Sequence, residues 1–224
     1  MHPWLKVLVG ILLLPACVGL VGALSRVLAL WGHATSFWVA VAGGAASWVS
    51  ISILLPKPML VYVFGHELTH ALWTWLFGGR VKRFKVSAKG GHVLITKSNS
   101  LIALAPYFFP IYVVLTAILF AAGHLIWNWR PYLPLFHVLL GASYAFHVTL
   151  TFHALRTEQS DITSQGYFFS AVVIVFGNLL VLLLGLSTLL DVGLVPGLTL
   201  WLHETAGVLA RLGVLLSGRS PSRF

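Results

Sequence analysis

Runs of about 18 or more apolar residues recur along the whole chain, and nothing else in the sequence constrains its fold as strongly. A helix needs about 20 such residues to cross a bilayer. Inside lipid the backbone must satisfy its own polar groups, which a helix does within one segment. The candidate spans are approximately Trp4–Leu24, Ser36–Leu55, Met59–Phe77, Leu101–Ala122, Leu133–Leu155, Tyr167–Leu190 and Leu194–Leu216. Only 8% of the residues are charged, against about 25% in ordinary soluble domains. A water-soluble fold of this size could not solvate itself so sparsely. The predicted fold class is an all-α polytopic membrane protein of six to seven transmembrane helices, forming a single multi-pass domain over residues 1–224.

Punctuation between the runs supports this division. Pro56, Lys57 and Pro58 make a tight connection between the second and third spans, since proline removes a donor and ends helices. The first run resembles a signal peptide in carrying Lys6 near its start, but it is long and lacks a clear small-x-small cleavage site, so it reads as a retained span. Cys17 is the only cysteine, which leaves no intrachain disulfide and no cysteine-based zinc site.

The 14 Lys and Arg against 5 Asp and Glu give a net charge of +9. In a soluble protein that balance would suggest nucleic acid; here the positives sit in short loops between apolar runs, where they orient the chain and meet anionic lipid. Nucleic acid is therefore not an expected partner, and the lipid bilayer is. If the basic stretch Arg80–Lys97 is cytoplasmic, so are the loops with Arg26 and Arg156 and the tail with Arg211, Arg219 and Arg223. Of the 14 basic residues only Lys6, Lys57 and Arg130 then fall outside. This positive-inside bias places the loop 78–100 and the C-terminus in the cytoplasm of a cell-membrane protein.

That loop is the only stretch that reads as sheet. Phe84, Val86 and Ala88 alternate with Arg83, Lys85, Ser87 and Lys89, and Gly90-Gly91 breaks the run before Val93 and Ile95 resume it. Alternation around a Gly-Gly turn predicts a short cytoplasmic hairpin after the third span. A basic loop lying on headgroups fits the same residues.

The third span holds Gly65-His66-Glu67-Leu68-Thr69-His70, an H-E-x-x-H pattern. Residues four apart on a helix lie one turn above each other, so both imidazoles can grip one Zn²⁺. Glu67 lies beside that face and can act as general base on a water that the metal acidifies, for attack on a peptide carbonyl. Ionisable residues inside an apolar span cost several kcal/mol unless paired or metal-bound, which marks the trio as functional. From His70 to Phe77 is seven residues, or about 11 Å of helix, so the site is buried but within reach of cytoplasmic water.

Catalytic zinc usually has three protein ligands and an open position. The candidates for the third are Asp161, His153, His147 and His137. Asp161 begins the sixth span on the same side as His70, and a loop can position it more freely than a continuous helix can position His153. His203-Glu204 lacks a second histidine four residues on and reads as an interfacial pair. Asn178 reads as a helix-to-helix hydrogen bonder that could also orient a substrate carbonyl, and His92 and His124 read as loop residues.

From Val63 to about Asn178 the order of features resembles the site-2 protease family of intramembrane metalloproteases, in its small forms without a PDZ domain. The matching features are the membrane-embedded H-E-x-x-H helix, the short sheet-like segment, the span with Ala105-Pro106 and a later acid. The resemblance implies one zinc ion per chain on His66, His70 and Asp161, with Glu67 as catalytic base. The usual Asn-x-x-Pro and Leu-Asp-Gly motif is absent; Leu179, Leu180 and Val181 follow Asn178. The expected activity is hydrolysis of membrane-anchored protein substrates, with Arg83–Lys89 as an edge strand that holds the unwound segment. The alternative is a non-proteolytic metal-binding scaffold or transporter, which would more often show repeated halves.

Overall fold

The structure is a computed structural model that describes residues 2–31 and 34–217. Arg219 and Arg223, which entered the orientation argument, lie outside the described residues. The chain divides into two compact units: residues 2–31 and 165–217 form one, and residues 34–164 form the other.

In the first unit, α1 (Pro3–Trp31), α8 (Tyr167–Leu189) and α9 (Leu194–Leu216) are long helices. Glycine lets α1 and α9 approach closely: a Cβ on Gly19 would run into Thr205 and one on Gly22 would lie 2.9 Å from a Glu204 carboxylate oxygen. Glu204 pairs with Nε of Arg26 at 2.5 Å, and Trp201 Nε1 donates to the Ala16 carbonyl at 3.0 Å. Asn178 Nδ2 donates to Ile174 O, one turn back on its own helix, at 2.9 Å.

In the second unit, α2 (Thr35–Leu54) lies along α6 (Leu133–Ala154). A Cβ on Gly44 would collide with the Val138 carbonyl, and one on Gly141 with the Val41 carbonyl. Trp48 Nε1 donates across the same contact to Thr149 Oγ1 at 2.8 Å. Helix α3 (Met59–Leu76) starts after Pro58 and ends where Gly78 takes φ +70°, a left-handed conformation that glycine adopts without a Cβ penalty.

Strands β1 (Val81–Ser87) and β2 (Gly90–Ile95) pair antiparallel. The hairpin is where the sequence predicts it, but its turn is Ala88-Lys89, and Gly90 and Gly91 open the second strand instead. One face carries Phe84 and Val86 toward α3: Phe84 meets the Phe64 ring at 5.9 Å, and Val86 packs on a cluster of Tyr62, Val63 and Leu150. The opposite face, with Arg83 and Lys85 paired across to Leu94 and His92, is exposed.

The fourth expected span is not one straight crossing. It breaks into α4 (Ser100–Phe108) and α5 (Ile111–Trp127), bent by 73°. Pro110 is the cause: it forces the preceding Phe109 into extended backbone, with φ −99° and ψ 104°. Asn99 caps α4 by accepting the Ile102 N–H at 2.8 Å, and Ile102 to Phe108 are all buried. After α6 the chain makes a single helical turn, α7 (Ser160–Thr163).

Among the described residues α1, α2, α6 and α8 are long and apolar enough to cross a membrane, and the α4–α5 pair adds a fifth span if counted as one. The polar residues of α3 and α9 keep these two below that apolarity, so the expectation of seven spans counts both as crossings and that of six counts α3 alone. Large apolar side chains such as Leu12, Ile53 and Leu54 stand exposed on the helix surfaces, as a lipid environment requires. The fold is the all-α polytopic membrane class that the sequence predicts.

Candidate metal centre

The centre is assembled from three short pieces of the second unit. On α3, His66 and His70 are one turn apart, with ring centroids separated by 5.0 Å at 77°. Their Nε2 atoms both point at one oxygen, Oδ2 of Asp161, at 3.4 and 3.3 Å. The ligand-type atoms of His66, His70 and Asp161 all lie within 4.8 Å of one another, a grouping that could hold a metal ion. Asp161 arrives from α7, 95 residues beyond His66.

Helix α4 braces this group. His70 Nδ1 donates to the Ile102 carbonyl at 2.9 Å. A carbonyl can only accept, so Nδ1 carries a proton, and Nε2 is the nitrogen that offers a lone pair when the ring is neutral, the form a metal ligand needs. The Tyr107 hydroxyl donates to Asp161 Oδ2 at 3.2 Å, and its ring stands edge-on to His66 at 5.3 Å between centroids. Tyr107 is wholly buried. Burial pushes the Asp161 carboxyl up, but hydrogen bonds from His66 and His70, and their charge, outweigh it and hold the group well below the usual carboxylate range. Asp161 is therefore an anion facing two imidazoles.

Glu67 is buried beside the group, against β2. A Cβ on Gly91 would lie 2.5 Å from Glu67 Cγ and 2.7 Å from Oε1, so only glycine lets the strand pass here. A cavity of about 590 Å³ opens over His66, Glu67, His70 and Asp161, with Gly91 and Val93 in its wall. The strand on the cavity is thus β2; Arg83–Lys89, the expected edge strand, contributes only its turn residues Ala88 and Lys89.

Of the other candidates, His153 and His92 line the cavity but stand outside the three-residue group. His137 packs edge-on to Phe37 at 4.9 Å, and His147 is buried on α6. His203 and Glu204 belong to the other unit, where Glu204 pairs with Arg26. Sequence reasoning missed Tyr107, the Ile102 carbonyl and Gly91. Tyr107 could have been suspected, because a hydroxyl inside an apolar run needs a partner; the other two carry no local signal.

The donor set, two imidazole nitrogens and a carboxylate oxygen beside an acid, is one that could hold a metal ion and is of the kind that catalytic zinc sites use. A family model described as Peptidase M50B-like matches residues 37–153, a range that holds α3, the hairpin and α4 but stops short of Asp161. No curated protein and no solved structure matches the chain. The match covers just over half of the chain and includes the helix with both histidines, so the chain belongs to the Peptidase M50B-like family, a site-2 protease type of membrane metalloprotease.

Proposed function

We propose that this protein is an intramembrane zinc metalloendopeptidase that cuts membrane-anchored protein substrates within or beside a transmembrane segment. The observation that carries the reading is the convergence of His66 Nε2, His70 Nε2 and an Asp161 carboxylate oxygen within 4.8 Å, beside buried Glu67. One zinc ion on these three ligands would polarise a peptide carbonyl and acidify water. Glu67 takes the proton from the attacking water and returns it to the leaving amine. Ile102 and Tyr107 keep the ligand atoms aimed, by holding His70 Nδ1 and Asp161 Oδ2.

A transmembrane helix hides its carbonyls in hydrogen bonds, so the substrate must unwind before one can be attacked. Strand β2, with Gly91 and Val93 on the cavity, is the main-chain edge suited to hold the unwound segment by strand pairing. The loop 78–100 and the C-terminus face the cytoplasm in this reading, from which water reaches the cavity; the support is the positive-inside bias. Cysteine labelling at Ser87→Cys in intact cells tests it, with Cys17 replaced. Labelling only after permeabilisation is expected, and ready labelling from outside inverts the topology. The reaction itself is tested with Glu67→Gln in a membrane-substrate cleavage assay, where zinc is expected to stay bound while cleavage is lost.

A further inference from the structure

The two histidines of α3 are not braced alike. His70 Nδ1 has the Ile102 carbonyl, whereas His66 Nδ1 is buried and meets no hydrogen-bonding protein group. On α6, His147 is 7% exposed, and its Nε2 is likewise buried without a partner. Buried polar atoms without a partner have lost their hydration with nothing in exchange, which is destabilising. Two of them on facing helices ask for a common explanation.

They share one wall. His66 and His147 line the same small cavity behind the metal centre, about 10 Å³ in volume. That is close to the lower limit for one water molecule, which also needs two to four polar partners. Tyr62 and Thr69 line the cavity too, and their hydroxyls can serve as further partners.

We infer that His147 is a positioning residue for His66, acting through a single buried water that accepts from His66 Nδ1–H and donates to His147 Nε2. The donor and acceptor roles are consistent. For His66 to offer its Nε2 lone pair to a metal ion shared with Asp161, its proton must sit on Nδ1, and an acceptor is then required on that side. The apolar walls from Pro106, Phe109 and Ile111 leave the histidine of α6 as the ring nitrogen available to anchor such a water. The centre is then clamped at both rings, His70 by the α4 backbone and His66 by α6. The inference rests on the reading of His66 as a metal ligand.

The test uses the full-length protein in detergent or nanodiscs, with zinc affinity measured by chelator competition. His147→Leu removes the acceptor and should weaken zinc binding about 10- to 100-fold, the usual effect of losing a ligand's outer partner. His147→Gln keeps an acceptor near the same place and should recover most of the loss. Thermal unfolding of the metal-free proteins separates this effect from misfolding. Zinc affinity of His147→Leu within about threefold of wild type overturns the inference, while wild type binding no zinc overturns the ligand reading beneath it. An experimental structure of the wild type supplies the independent arm. A water within 3.2 Å of both His66 Nδ1 and His147 Nε2 is expected, and a cavity closed by side chains with neither atom bonded contradicts it.

Discussion

Both units of this chain set polar side chains among apolar helices, and they treat them in opposite ways. Between α1 and α9, the Glu204 carboxylate meets Arg26 where Gly19 and Gly22 let the helices touch. Charge is answered locally and the polar pair is part of the packing. In the α2–α7 unit, His66, His70, Asp161 and Glu67 converge on the floor of a cavity of about 590 Å³. There the ligand atoms meet one another and open space. A charge with its partner in contact is a packing device, and several ionisable groups turned toward one cavity are a site for chemistry.

The largest expected effect breaks the second region at its acid. Glu67→Gln should lower cleavage about 10²- to 10⁴-fold, the usual cost of a general base, with zinc content unchanged; activity within a few-fold of wild type removes Glu67 from that role. Next, Asp161→Ala should lose zinc and cleavage together, while His153→Ala, which lines the cavity outside the ligand group, should keep its zinc. Full zinc and activity in Asp161→Ala with loss of both in His153→Ala would make the site a three-histidine one. Gly91→Ala places a methyl against Glu67. Because displacement by about 1 Å can cost up to 10²-fold, we expect a fall in cleavage of roughly 10- to 100-fold with zinc retained, measured as turnover per bound zinc. The smallest effect on chemistry belongs to the first region: Glu204→Gln should lower thermal stability yet leave cleavage per folded molecule within about threefold. A drop as deep as that of Gly91→Ala would erase the contrast between the regions.

Sequence legibility follows the same division between local and distant causes. His66, Glu67 and His70 could be read because a four-residue spacing on a helix is a local fact. The hairpin could be read from alternation, but its turn was displaced: Gly90-Gly91 carries the composition of a turn, whereas Gly91 is a glycine because Glu67 lies under it. The apolar run 101–122 was continuous in hydropathy, and its 73° bend comes from Pro110, which an average over a window dilutes. Tyr107 and the Ile102 carbonyl act across 54 and 32 residues of sequence. No periodicity encodes such contacts; they exist only once α4 has packed on α3. Asp161 was reachable because topology put its loop on the side of His70, which is a global property of the span order.

The proposed chemistry stands on His66, His70 and Asp161 forming one zinc site. Metal analysis of the purified full-length protein, wild type beside His66→Ala, tests it most directly. About one zinc per chain is expected in the wild type, as one three-ligand site implies, and a clear loss in the variant. Substoichiometric zinc in both proteins, or equal full occupancy in both, would contradict it.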